Sequence, residues 1–375
     1  MNDNLHIAKM PVFCALFNVC NQHLLKAHGL IPYGMSKYKG FKSFLATYQN
    51  GEYPNLKYLP GLDMEFFPKT TGNFTEDSCS WLQNNAKRID VLYLFHVSRR
   101  SEKFVRTYKQ ANPDGKVYIE MDGYKLSKLL WFSVGNIIVS RPYQKYLMKN
   151  AFISTEFPEK AKMFFQKLKY KVGCVPNPIN PAEVAPFRGF KDRSNIIFTA
   201  GRLGTKQKAT EILLNAFAKI ADKIPNWKLK LAGGFAENLN IADDFYKEHQ
   251  NLKDRVIFTG EINDRSSLIE MYRDAKIFAF PSRWESFGIA LSEAMSQGCF
   301  PVISDIESSQ MLTNNFNFGY SHNIDDINAL ANQLLRACEN ENEIESIAQK
   351  GMNFINDMCS LEKCCNEIYK GLYGE

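Results

Sequence analysis

The sequence predicts an α/β protein made of two parallel-sheet domains, and three observations carry that prediction. Short apolar runs alternate with amphipathic stretches along most of the chain, as strands covered by helices on both faces require. An aperiodic stretch from Pro176 to Arg193, with prolines at 176, 178, 181 and 186, interrupts the alternation, which then restarts. At 375 residues and 45% apolar composition, the chain is long and apolar enough for two cores. The domains are accordingly drawn at 1–178 and 194–360, with 179–193 as linker.

In the first half, Val12 to Phe17 reads as a strand and Asn18 to His28 as a polar loop. Pro32 opens a helix that Gly40 stops. Strands are expected at Ser43–Tyr48, Met64–Phe67, Val91–Phe95, Lys116–Met121, Asn136–Val139, Phe152–Ser154 and Val172–Val175. Helices are expected near Ser80–Lys87 and over the basic stretch Arg99–Gln110. His96 and Asp122 each follow a central strand, where an open α/β sheet presents groups to its ligand. A functional role is favoured for Asp122; for His96 a structural role weighs equally. Pro158 to Lys171 carries five lysines interleaved with Met163, Phe164, Phe165 and Leu168. Such a helix can cover a sheet or lie on an anionic membrane, and the first reading is preferred.

In the second half, the strand Asn195–Ala200 runs into Gly201-Arg202-Leu203-Gly204-Thr205-Lys206-Gln207-Lys208, followed by an amphipathic helix, Thr210–Lys223. The glycines let the loop turn back, and Arg202 and Lys208 can both reach a diphosphate, with Lys206 as the alternative second cation. Lys228–Ala232 is the next strand, and its Gly233-Gly234 loop can approach a phosphate or a sugar. Arg255–Thr259 follows, leading into Gly260-Glu261-Ile262, then a helix, Ser266–Arg273. The richest stretch is Phe280 to Gly298. Strand Ile277–Phe280 ends there, a short loop holds Glu285, and a helix carrying Glu293 closes at Gly298. Backbone N–H groups near Phe287, Gly288 and Ile289, beside Ser286, have no partner inside the helix, and glycine permits close approach. An anion site flanked by two carboxylates suits a ligand with phosphate in its middle and hydroxyls at both ends. A nucleotide sugar has that form.

The run Phe-Pro-Ser-x-x-Glu-Ser-Phe-Gly-Ile-x-x-x-Glu-Ala-Met-x-x-Gly resembles the donor-site signature of retaining glycosyltransferases of the GT-B fold, most closely glycosyltransferase family four. Gly201-Arg202-Leu203 with Lys208 resembles that family's Gly-Arg-Leu…Lys-Gly loop, Ala209 replacing the glycine. The resemblance implies two Rossmann-like domains facing a central cleft, with a last helix, 361–375, packed back on the first. It implies that Glu293 holds the nucleotide ribose, that Glu285 holds the donor sugar, and that the Gly260–Ile262 loop lies against the base. In that family a His often contacts the donor sugar from the place that Asp122 takes here, which leaves Asp122 and His96 as alternatives. The expected reaction is hexose transfer from a nucleotide diphosphate sugar, a UDP-sugar ahead of a GDP-sugar, to a glycan or lipid-linked acceptor with retention. A non-catalytic nucleotide-sugar-binding subunit is the alternative, kept open by Asp122.

Composition narrows the setting. The nine cysteines form no C-x-x-C pair, which points to reduced thiols in a cytoplasm. No carboxylate or His cluster has convincing metal spacing, and neither metal nor cofactor is expected. No export signal or membrane-spanning run is read, so a cytoplasmic protein is expected. Residues 1–193 hold 28 Lys+Arg against 15 Asp+Glu, a net of +13, whereas 194–375 hold 18 against 25, a net of −7. The basic half suits an anionic acceptor or peripheral contact with the inner face of the cytoplasmic membrane. Its lysines are scattered through sheet elements rather than interleaved with base-reading aromatics, so nucleic acid is not expected.

Overall fold

A computed structural model describes residues 10–121, 132–134, 137–139 and 141–374. The fold is α/β, as expected, with two units: Met1–Ala182 together with Cys359–Glu375, and Glu183–Met358.

The first unit holds a seven-stranded sheet. In chain order its strands are β1 (Val12–Leu16), β2 (Lys42–Thr47), β3 (Asp63–Phe66), β4 (Val91–Phe95) and β5 (Lys116–Met121). After the short strands β6 (Phe132–Val134) and β7 (Ile137–Val139) come β8 (Phe152–Thr155) and β9 (Gly173–Cys174). The order across the sheet is β3-β2-β1-β4-β5-β8-β9, every neighbouring pair parallel. β1 and β4 are almost wholly apolar because both of their faces are covered. The strand expected at 136–139 is present as β7, but it lies outside the parallel sheet, pairing antiparallel with β6 in a separate two-stranded sheet.

Helices complete this unit. Ala27–Lys39 starts five residues before Pro32, because a proline this early forfeits only one intrahelical bond, and it ends as expected in left-handed Gly40 (φ 69°). Ser98 caps Arg99–Ala111, accepting from the Ser101 N–H at 3.1 Å, and the helix buries Phe104, Val105 and Tyr108. The lysine-rich helix, Pro158–Leu168, sends Phe164 into the core, with 1% exposed, so it covers the sheet. The helix Leu361–Tyr373 packs on Ala27–Lys39 so closely that a Cβ on Gly34 would come within 2.5 Å of the Cys365 Sγ.

The second unit holds β10 (Ser194–Ala200), β11 (Lys228–Ala232), β12 (Val256–Gly260), β13 (Ala275–Phe280), β14 (Phe300–Ser304) and β15 (Tyr320–His322). They form one parallel sheet in the order β12-β11-β10-β13-β14-β15. The chain winds outward from β10 to one side and then from β13 to the other, so the crevice where a ligand is expected lies at the C-ends of β10 and β13. Residues 183–193, drawn as linker, are packed here. Phe190 is 2% exposed, and Arg193 donates to the carbonyls of Arg188, Ala275 and Gln297 at 2.8–2.9 Å. A proline-rich composition says nothing of a buried guanidinium that satisfies carbonyls from three segments.

Candidate functional site

The loop after β10 turns back because Gly201 adopts φ 155° and Gly204 φ 73°. Its next strand neighbour comes unusually close. Gly233, at φ 134°, lies where a Cβ would stand 1.7 Å from the Gly201 carbonyl oxygen. Gly233 therefore serves the approach of two loops, while Gly234 accepts from the Leu203 N–H at 2.9 Å and Gly260 accepts from the Gly233 N–H at 2.9 Å. Gly260 itself takes φ 71°, Glu261 is exposed and Ile262 half-buried beside it.

Across the crevice, the β13 loop delivers Glu285, whose side chain is 9% exposed. Lys208 Nζ donates to Glu285 Oε1 at 2.6 Å, and Gln207 Nε2 donates to Glu285 Oε2 at 3.2 Å. Gln207 also accepts from Arg202 at 2.9 Å, so the side chain links Arg202 to Glu285. Arg283 fastens the two loops: it donates from its backbone to the Gln207 carbonyl and from its guanidinium to the Lys206 carbonyl, Glu211 and Asp325. Lys208 and Lys206 are thus distinguished. Lys208 is the cation beside Glu285, whereas the Lys206 side chain is exposed and its backbone is held by Glu237 and Arg283. Ala209 occupies the left-handed region (φ 49°), the conformation that explains a glycine preference there.

Gly288, left-handed at φ 96°, caps the helix Ile289–Ser296, with Phe287 buried behind it and Ser286 and Ile289 half-buried. The helix carries Glu293 toward a second charged group. Arg265 Nη2 donates to Glu293 Oε1 at 2.8 Å, Tyr272 donates to Glu293 Oε2 at 3.3 Å, and Arg265 grips Glu183 through two bonds of 2.6 and 2.8 Å. Burial works against the Arg265 charge, but Glu293 and Glu183 outweigh it and raise its pKa. Burial and Glu293 also push the Tyr272 phenol well up, so it remains a donor.

The structure thus gathers Gly201, Arg202, Lys208, Gly233, Gly234, Gly260, Glu261, Ile262, Glu285, Ser286, Phe287, Gly288, Ile289 and Glu293 onto the strand ends and loops of one sheet. His96 belongs to the other unit, at the end of β4. It takes φ 65°, bonds the Glu120 carbonyl through its N–H at 2.7 Å and accepts at its own carbonyl from Ser101. Asp122 lies outside the described residues. Gln207, Arg283, Arg265 and Tyr272 were missed in the sequence because each acts on partners far along the chain. Only the helix start at Asp264-Arg265, with Asp264 accepting from the Ser267 N–H at 2.8 Å, is locally visible. Among the described residues, no group of three or more His, Cys, Asp or Glu is arranged to hold a metal, and no helix is long and apolar enough to cross a membrane.

Residues 183–354 match the family described as glycosyl transferases group 1. An uncharacterized glycosyltransferase of Methanocaldococcus jannaschii is 31% identical over 166 residues, 41% of each chain. An Escherichia coli UDP-Gal:alpha-D-GlcNAc-diphosphoundecaprenol alpha-1,3-galactosyltransferase is 24% identical over 181 residues, 46% of each chain. These matches span less than half the length of either relative. Over 97% of this chain and 99% of the other, the fold is that of sucrose-phosphate synthase from Thermosynechococcus elongatus, with a TM-score of 0.71 at 16% identity.

Proposed function

From the match of residues 183–354 to glycosyl transferases group 1, we propose that the chain is a retaining hexosyltransferase using a nucleotide diphosphate sugar. The observation that carries this reading is the Lys208–Glu285 pair, 2.6 Å apart where the β10 and β13 loops meet. A carboxylate beside a mobile ammonium offers a hydroxyl acceptor next to a phosphate cation, which is the junction between sugar and diphosphate in such a donor.

In the proposed chemistry, cleavage of the anomeric C–O bond leaves charge on the diphosphate. Lys208, Arg202 and the N–H groups near Gly288 stabilise that charge, so side chains supply the cations and no cofactor is invoked. Glu285 orients the donor sugar, Glu293 accepts from the ribose, and the Gly260–Ile262 loop lies against the base. UDP-sugars are favoured over GDP-sugars, in keeping with the UDP-galactose named for the E. coli relative. That relative's diphosphoundecaprenol substrate also favours a glycan or lipid-linked acceptor. A +13 first half suits such an anionic acceptor at the inner face of a cytoplasmic membrane.

Thermal stabilisation across UDP-, GDP-, ADP- and CMP-sugars, coupled to release of free nucleotide on adding acceptor glycans, tests the reading. At one hundred times its dissociation constant the right donor adds about 2.7 kcal/mol to stability. Arg202→Ala and Glu293→Ala should abolish the shift. Failure of every nucleotide sugar to stabilise the folded wild type would sink the donor site, and stabilisation without turnover on any acceptor would favour the binding-subunit alternative.

A further inference from the structure

Glu293 does not stand alone on its helix. Both of its oxygens are engaged from one neighbouring element, the helix Arg265–Asp274, Oε1 by the Arg265 guanidinium and Oε2 by the Tyr272 phenol. The guanidinium is itself fixed, because Glu183 takes its Nε and Nη2 together in the fork geometry that leaves little rotational freedom. Glu183 is in turn tied down by its own backbone carbonyl, which accepts from Gln297 at 3.1 Å, one residue past the helix that carries Glu293. The side chains of Arg265, Glu183 and Glu293 are only 12%, 10% and 15% exposed, and Tyr272 is 1% exposed. This is a closed frame around one carboxylate.

We infer that Arg265 and Tyr272 are the positioning residues that make Glu293 selective for a vicinal diol, an inference that rests on the nucleotide-sugar reading of this site. A carboxylate can accept about four hydrogen bonds, roughly two on each oxygen. The frame takes one on Oε1 and one on Oε2, leaving one acceptor direction on each oxygen. Two adjacent hydroxyls, each with one proton to donate, match that remainder; a single hydroxyl matches half of it. The charge balance agrees. Two carboxylates against one guanidinium leave a net negative charge in a sheltered place, which favours a neutral donor such as a diol and disfavours phosphate. Arg265 therefore never touches the ligand: it fixes the plane of Glu293, and Tyr272 fixes the second oxygen. The specificity assigned to this frame is for ribose over 2′-deoxyribose.

Calorimetric titration of the full chain with UDP, GDP and ADP and with their 2′-deoxy forms tests this, using wild type, Arg265→Lys and Tyr272→Phe. Lysine keeps the charge but loses the fork, and phenylalanine removes one hydrogen bond without changing volume. The wild type should bind its preferred ribonucleotide about ten-fold more tightly than the 2′-deoxy form, the effect of losing one hydrogen bond to a charged group. Each variant should lower that preference to about three-fold or less while the affinity for the 2′-deoxy form barely changes. A purely structural role would weaken both nucleotides equally and leave the ratio intact, and that result overturns the inference. A wild type that binds a nucleoside diphosphate without ribose preference overturns it too, while leaving the donor site standing. If no nucleoside diphosphate binds the wild type, the inference falls together with the donor reading. Should Arg265→Lys fail to fold, the ratio in Tyr272→Phe decides alone.

Discussion

Lys208 and Lys206 stand two residues apart in one loop, and their surroundings give them opposite weights. The Lys208 side chain is 18% exposed and faces a carboxylate 9% exposed, whereas that of Lys206 points away into solvent. Lys208→Met should cost about 1–3 kcal/mol of stability, since Glu285 loses its charged donor in a partly dry site. It should also lower kcat/KM for donor turnover by about 10²–10³-fold, the usual effect of deleting a group that stabilises departing charge. Lys206→Ala should change neither by more than about two-fold, because a solvated lysine contributes little. Steady-state kinetics and thermal melts on the two variants check the contrast, and equal losses would contradict it. The sequence put Lys208 first with Lys206 as its alternative, but the partner that separates them, Glu285, is 77 residues away.

At the scale of elements, the strands were legible wherever an apolar run is buried on both faces. Val91–Phe95, Lys116–Met121 and Lys228–Ala232 have the limits that their hydropathy suggests. Pairing was less legible than existence: β7 carries the same Ile-Ile-Val character as a buried parallel strand, yet it pairs antiparallel with β6. The glycines of the loops after β10 and β11 were legible as flexible points, yet their tightest constraint concerns packing. Gly233 abuts the Gly201 carbonyl and holds φ 134°, so Gly233→Ala meets both a backbone collision and a forbidden conformation. The expected loss is about 3 kcal/mol or more, with donor affinity falling as the β10 and β11 loops are forced apart. Gly234→Ala, where a Cβ would meet nothing within 4 Å, should be tolerated, and parallel melting curves would separate the two positions.

At the scale of the whole molecule, acid stability and chain continuity lead to two further expectations. His28, wedged against Phe17 and Phe95 with ring centroids 4.7 Å from each, is pushed down to about 3 by burial, helped by the nearby His23, Lys26 and His96. Burial lowers His23 and His322 as well. A histidine held neutral in the folded chain but free to protonate near 6.5 when unfolded contributes stability that is complete above pH 6.5. That contribution is lost as pH falls from 6.5 toward 3. Melting temperature should therefore decline below pH 6.5, and His28→Phe should flatten the decline; an unchanged acid limb in that variant would exclude His28 as its main source.

The first unit also depends on residues 359–374. Five side chains of the helix Leu361–Tyr373, those of Leu361, Cys364, Cys365, Ile368 and Leu372, lie in its core. Burying five such groups is worth on the order of 5–10 kcal/mol, comparable to the net stability of a domain. A chain ending at Met358 should lose the cooperative melting of the first unit while the second still melts as a unit, which separate probes of the two sheets can follow by hydrogen exchange. The same discontinuity sets an order on the ribosome. Residues 10–182 emerge first but must wait, with the apolar side of the helix Ala27–Lys39 uncovered, until the second unit has been synthesised and the closing helix arrives. In a growing chain the unit that is translated later can therefore finish folding first.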